Sequence, residues 1–258
     1  MVDMMVVGKF VGTACLSAVS IGSQLTNMFM TVGLGLCTGG QIYIAQLVGA
    51  RDHKALNRVI GTMFTTIGLL ALLLTVVGLL FHTPMLTAMN TPAESMTEAV
   101  HYLVVCSGGM IFIYGYNAVC AVLRGMGDST HPLLFVAIAT AVNVVLDLLF
   151  VAVFHWDAMG AALATVIAQG VSCLLALVYL LRHRDIFSWS RTALRLRAEK
   201  VRSILNIGIP CAIQMTVAGI SWLVVTYLIN DYGVAYSAAN GFAVKIKDFS
   251  MMFITAVS

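Results

Sequence analysis

The 258-residue sequence predicts an all-α integral membrane protein, and three observations carry that reading. Hydrophobic residues make up 60% of the chain and charged ones 10%, with a mean hydropathy of +0.96, which leaves too little polar surface to coat a soluble globule. Apolar runs of about 20 residues, the length that crosses hydrocarbon as a helix, recur with turn signals between them. Basic residues gather in alternate loops, eleven on one side against Lys9 on the other.

Taken in order, residues 1–8 are apolar but too short to span, and they lead into a turn at 9–13 without a signal-peptide cleavage pattern. They read as the tail of a helix whose beginning is missing. Spans follow at 17–47, 59–81, 101–123, 132–154, 158–181, 203–229 and 235–258. The first is long and is expected to bend at Gly33, Gly35, Gly39 and Gly40. The chain stops at 254–258 without a helix terminator or polar tail, so it reads as an internal fragment, cut at both ends. Arg51, Lys54 and Arg58 fall in one loop, Arg124 in the next on the same side, and Arg182, Arg184, Arg191, Arg195, Arg197, Lys200 and Arg202 in a third, which makes that side cytoplasmic.

Several functional classes receive no support. The Lys and Arg residues do not form the basic, aromatic-laced patch of a nucleic-acid binder. Cys15, Cys37, Cys106, Cys120, Cys173 and Cys211 are scattered singly through apolar segments, as small core residues rather than a disulfide framework or zinc site. His53, His82, His101, His131, His155 and His183 are expected in loops or at helix ends, so no catalytic centre assembles at membrane depth and the chain is not expected to be an enzyme.

Asp147 stands out. It is a carboxylate within the apolar run 133–154, where an acid costs at least about 2.5 to 3.5 kcal/mol on insertion scales and marks an ion or substrate pathway. Asn143, four residues earlier, shares its helix face. Asp147 and Thr165 each lie nine residues from a turn centred near Trp156, hence about 13 Å below it at 1.5 Å per residue, and are expected at one depth. Asp3 is placed roughly 9 Å deep by the same rise. A carboxylate in that setting is tolerated if it takes a proton or if several oxygens hold Na⁺ beside it, and either event changes the local charge by one unit.

The sequence resembles the multidrug and toxic compound extrusion (MATE) family of cation-coupled antiporters over essentially its whole length. The resemblance is carried by Val2-Asp3 with Val7-Gly8, by Ala45-Gln46 with Gly49-Ala50, and most specifically by Leu123-Arg124-Gly125-Met126-Gly127-Asp128-Ser129-Thr130 with Pro132. Asn143 to Asp147, Gly160-Ala161-Ala162 with Ala164-Thr165 and Gln169, and Gly208-Ile209-Pro210 with Gln214 complete it. It implies a twelve-helix transporter of two six-helix lobes, of which this chain holds the amino-terminal lobe at 1–181, an inter-lobe cytoplasmic loop at 182–202 and the first two helices of the second lobe at 203–258. A faint internal echo agrees: Ser17, Ala18 and Phe29 match Ser237, Ala238 and Phe249 at a spacing of 220.

On that resemblance, Asp3, Asn143, Asp147 and Thr165 form the cation or proton site of the first lobe. The implied activity is secondary active export of amphipathic, often cationic organic compounds in exchange for H⁺ or Na⁺, by alternating access in a bacterial plasma membrane. The alternatives are a flippase for a lipid-linked saccharide, which a ring of arginines around the cavity would favour, and a membrane scaffold without transport. No cofactor is expected beyond the coupling ion. Expected partners are small organic substrates and membrane lipid, not nucleic acid, with the chain acting as a monomer.

The remaining candidates have lesser roles. Gln24, Tyr114, Gln214, Lys245 and Asp248 are candidates for a substrate cavity, the last two also as an ion pair on one helix face. Gly125 and Gly127 permit a tight turn after Arg124, Asp128 or Ser129 can cap the next helix, and Pro132 suits its first turn. Gln46 and Gly49 read as helix-end and close-packing positions, and Pro210 as structural.

Overall fold

The structure, a computed structural model, describes residues 13–89, 91–182 and 198–231. The predicted elements at 1–12 and 235–258, with Asp3, Lys9, Lys245 and Asp248, lie outside the described residues, as does most of the inter-lobe loop. The described residues form α1 (Thr13–Gly49), α2 (His53–Ala88), α3 (Ala93–Gly108), α4 (Met110–Gly125), α5 (Thr130–Asp147) continued by a π-helical turn (Leu148–Val153), α6 (Asp157–Arg182) and α7 (Ala198–Asp231). Five of these helices are long and apolar enough to cross a membrane, and the α3–α4 pair supplies a sixth crossing.

Local chemistry sets the boundaries. The Asp52 carboxylate accepts the Ala55 N–H at 3.0 Å and starts α2, which follows a turn through Arg51 at φ 56°. Beyond the predicted limit at 81, α2 continues to Ala88 across a local distortion at Phe81, three residues before Pro84. Pro84 cannot donate to residue 80 and crowds its carbonyl, so the helix deforms there without ending. The predicted single span at 101–123 is instead two helices bent by 45°. The break falls at Gly108 and Gly109, whose weak helix propensity makes a bend cheap. Beside it, the Thr75 hydroxyl donates to the Ser107 carbonyl at 3.1 Å. One consequence concerns the histidines: with α2 and α3 longer than predicted, His82 and His101 sit inside helices rather than at their ends.

The first long span forms one unbroken helix, α1, over 37 residues. Its glycines serve approach instead. Gly22 lies against the Tyr102 ring, Gly33 against Tyr114, Gly40 against Met63, and Gly35 and Gly39 against α7. Glycines pointing in several directions let α1 act as the hub on which α2, α3, α4 and α7 pack. Helix α6 uses the same principle along one face, where Gly160, Ala164, Ala168, Ser172, Ala176 and Leu180 recur every four residues and are buried.

Hydroxyl groups tie the helices where hydrocarbon offers no water. Tyr114 Oη donates to the Phe29 carbonyl of α1 at 2.6 Å, Tyr116 Oη to Pro132 of α5 at 3.2 Å, and Ser172 Oγ to Phe135 of α5 at 3.0 Å. The basic side chains Arg51, Arg58, Arg124, Arg182 and Arg202 all belong to helix ends or turns on the side read as cytoplasmic.

Candidate functional site

Helix α5 buries one stripe, Pro132, Phe135, Ala139 and Asp147, with Asn143 half-buried in the same series. The spacing of three and then four residues keeps this stripe toward the bundle while Leu133, Leu134, Val136 and Val145 face outward. The stripe is apolar for its first two turns and polar for its last. Asp147 ends it at 0% exposure, the only Asp, Glu, Lys or Arg among the described residues that is buried. An acid there is costly, and the helix geometry leaves it no route to snorkel outward.

Asn143 Nδ2 donates to Thr165 Oγ1 of α6 at 3.5 Å, so two of the predicted site residues meet across the α5–α6 contact. Asp147 follows Asn143 by one helical turn on the same face of α5. Directly after Asp147, residues 148–153 form a π-helical turn. Such π turns are frequent at functional sites. Outside the turn, Trp156 stacks on Phe150 at 5.2 Å and His155 and Asp157 adopt φ of 55° and 45°.

Thr165 also lines a cavity of about 240 Å³ between α1, α3, α4 and α6. Its polar wall is Ser23, Thr26, Asn27, Thr165 and Gln169, and Val19, Met30 and Tyr102 contribute much of the apolar side. Pockets for drug-sized ligands run from about 300 to 1,000 Å³. This space therefore suits an ion with its water, or one end of an organic molecule. Gln169, Ser23, Thr26 and Asn27 were not singled out as site residues from the sequence, yet a signal existed. Ser23, Thr26 and Asn27 sit at i, i+3 and i+4 in an apolar helix, and Gln169 follows Thr165 by four, so each set shares a face.

The predicted cavity residues fare differently. Gln24 is exposed and does not line that cavity. Tyr114 is buried with its hydroxyl committed to Phe29, and it lines a narrow crevice with Met30, Gly33 and Asn117 rather than the cavity. Gln214 is exposed on α7, and Pro210 lies inside that helix.

The turn between α4 and α5 is built as its residues suggest. Gly125 packs against the Gln41 carbonyl and Ile44 of α1, Gly127 takes φ 93°, and Arg124 is exposed. Asp128 is the residue that caps: its Oδ1 accepts the His131 N–H at 3.2 Å and its Oδ2 the His131 ring at 2.7 Å and the Tyr179 hydroxyl at 3.3 Å. At the end of α1, the Gln46 carbonyl accepts the Ala50 N–H, but Gly49 faces open space and is not a close-packing position. Burial pushes the Asp128 carboxyl up, but the hydrogen bonds from His131 and Tyr179 outweigh it and hold its pKa below the ordinary value. Stability from this cap is therefore present above the unfolded pKa, about 3.9, and is lost as pH falls through the lower folded one. Thermal melts of wild type and Asp128→Asn in detergent are expected to differ at pH 7 and to converge below about pH 4; equal melts at pH 7 would remove the cap from the account.

Residues 1–149 match the MatE family. A probable multidrug resistance protein of Bacillus subtilis strain 168, YoeA, is 29% identical over 259 residues, covering 98% of this chain and 56% of the relative. Another from the same strain, YpnP, is 30% identical over 233 residues, covering 90% of this chain and 52% of the relative. Among solved structures, a MATE crystal structure in the straight conformation superposes with a TM-score of 0.89 at 23% identity, over 97% of this chain and 56% of that one. The chain thus spans about half the length of the relatives it matches.

Proposed function

Because the chain belongs to the MatE family, we propose that it supplies the cation-coupling half of a secondary active multidrug exporter in a bacterial plasma membrane. The observation that carries this reading is the buried Asp147 at the end of the α5 stripe, one turn from Asn143, whose hydrogen-bond partner Thr165 lines a polar-walled cavity. In the proposed cycle, Asp147 takes up a proton, or shares Na⁺ with oxygens of Asn143 and Thr165, from the outer side. Neutralising a buried charge favours one packing of α5 against α6, and releasing the cation favours another, so the outward and inward states are biased in turn. Asp3 would join this site, and Gln214, Lys245 and Asp248 would face the substrate from the second lobe. The exported compounds would be amphipathic organic cations.

The test is uptake of a fluorescent organic cation into inverted vesicles carrying the full-length protein, with either a proton or a sodium gradient imposed. Transport driven by one gradient and not the other identifies the ion. No transport under either gradient would sink the exporter reading and bring forward the lipid-linked saccharide flippase.

A further inference from the structure

At the end of the bundle away from the basic loops, a pocket of about 260 Å³ opens between the first turns of α3 and the turn that joins α5 to α6. Glu98, His101, His155, Trp156, Asp157 and Met159 line it, and it shares no lining residue with the cavity at Thr165. Its two walls are held together by one buried apolar cluster that includes Tyr102, which follows His101, and Ala158, which follows Asp157, with Cys15 of α1 between them in the same cluster. Trp156 is fixed in place: its ring stacks on Phe150 at 5.2 Å and lies 5.6 Å from Phe154, and the chain turns sharply on either side of it through the left-handed residues His155 and Asp157. The indole nevertheless keeps 48% of its surface exposed.

Glu98 and Asp157 bring one carboxylate from each wall. His101 Nδ1 stands 3.8 Å from Glu98 Oε1, beyond hydrogen-bonding reach. Every described Lys and Arg belongs to the opposite ends of the helices, while Glu94 adds a further negative charge in the first turn of α3. The pocket therefore attracts cations. Its donors do not converge as a metal set: among the described residues, no three His, Cys, Asp or Glu side chains come together to hold a metal ion. A cation that uses the whole lining needs positive charge for the two carboxylates and an alkyl surface for the indole and the thioether. We propose that this pocket binds an alkylated ammonium group, with Glu98 and Asp157 as counter-charge, the Trp156 ring as the cation–π partner and Met159 as apolar cover. That group can belong to a free organic cation or to a phospholipid head, since tryptophans at a helix end lie at headgroup level.

The experiment uses the full-length protein with Trp156 as its one tryptophan, the others replaced by phenylalanine, and follows indole fluorescence at neutral pH. In detergent, tetramethylammonium chloride is expected to give a saturable change that sodium chloride at equal ionic strength does not. Glu98→Gln with Asp157→Asn should weaken that binding about tenfold or more, whereas Asp147→Asn should leave it unchanged. Asparagine tolerates the left-handed backbone at 157, and where the double variant fails to fold, Glu98→Gln alone is expected to weaken binding in the same direction. In nanodiscs of phosphatidylglycerol with and without phosphatidylethanolamine, a spectral change that follows the ethanolamine lipid and is lost in the carboxylate variants assigns the site to a lipid head; a response to the soluble ion assigns it to a free cation. No saturable response in either arm, a response that ignores the carboxylate variants, or saturation by Zn²⁺ alone overturns the proposal. Neither arm requires transport, so failure here leaves the exporter reading standing, and failure of efflux leaves this site standing.

Discussion

Asp147→Asn is expected to reduce gradient-driven efflux by the full-length protein to the level of protein-free vesicles while leaving the fold intact. Asparagine preserves the size and much of the hydrogen-bonding capacity of the side chain and removes only its ability to carry charge. Because Asp147 has 0% exposure, the substitution also removes the cost of placing an ionisable group in a low-dielectric interior. Its melting temperature in detergent should therefore equal or exceed that of wild type. That combination separates a coupling role from a structural one. Unchanged efflux would demote Asp147 to a packing residue, and a large fall in melting temperature would make it a structural acid instead.

The second large effect is expected at Gly33. Its missing Cβ is occupied by the Tyr114 ring, and that ring is held in place by the 2.6 Å hydrogen bond to Phe29, so neither partner can yield cheaply. Gly33→Val should overpack this site at a cost of about 1–3 kcal/mol, read as a lower melting temperature and a smaller folded yield. The double variant Gly33→Val with Tyr114→Leu, which frees space, should recover part of the loss although Tyr114→Leu alone destabilises. Strictly additive losses would show that the two residues do not share the site.

Much of this architecture is legible in the sequence because the bilayer imposes simple demands. A helix must be long and apolar to cross, and a basic loop stays inside, so the predicted spans fall on α1, α2, α5, α6 and α7 within several residues. Asp147 and Asn143 are legible for the complementary reason, since a polar group in such a run is costly and must serve something. Less was legible where two local readings compete. Gly108 and Gly109 break the α3–α4 crossing, while α1 runs unbroken through its glycines. Both sets are poor helix formers, and a neighbour fills the Cβ space at Gly109, where Val166 packs, as it does at Gly33, Gly35, Gly39 and Gly40, so local chemistry does not tell them apart.

The sequence by itself determined the class of this protein, the location of a buried acid and, through the motif from Leu123 to Pro132, its family. These depend on composition and short-range spacing, which are written along the chain. Only the tertiary structure decided that Asn143 meets Thr165, that Ser23, Thr26, Asn27 and Gln169 share a cavity, and that Tyr43, Gly39 and Gly35 oppose Lys200, Gly208 and Ala212. Each of those facts depends on the rotation and depth of one helix relative to another. A single π turn, or one residue of rotation, changes which side chains meet, and nothing in the local sequence fixes that register until the helices pack.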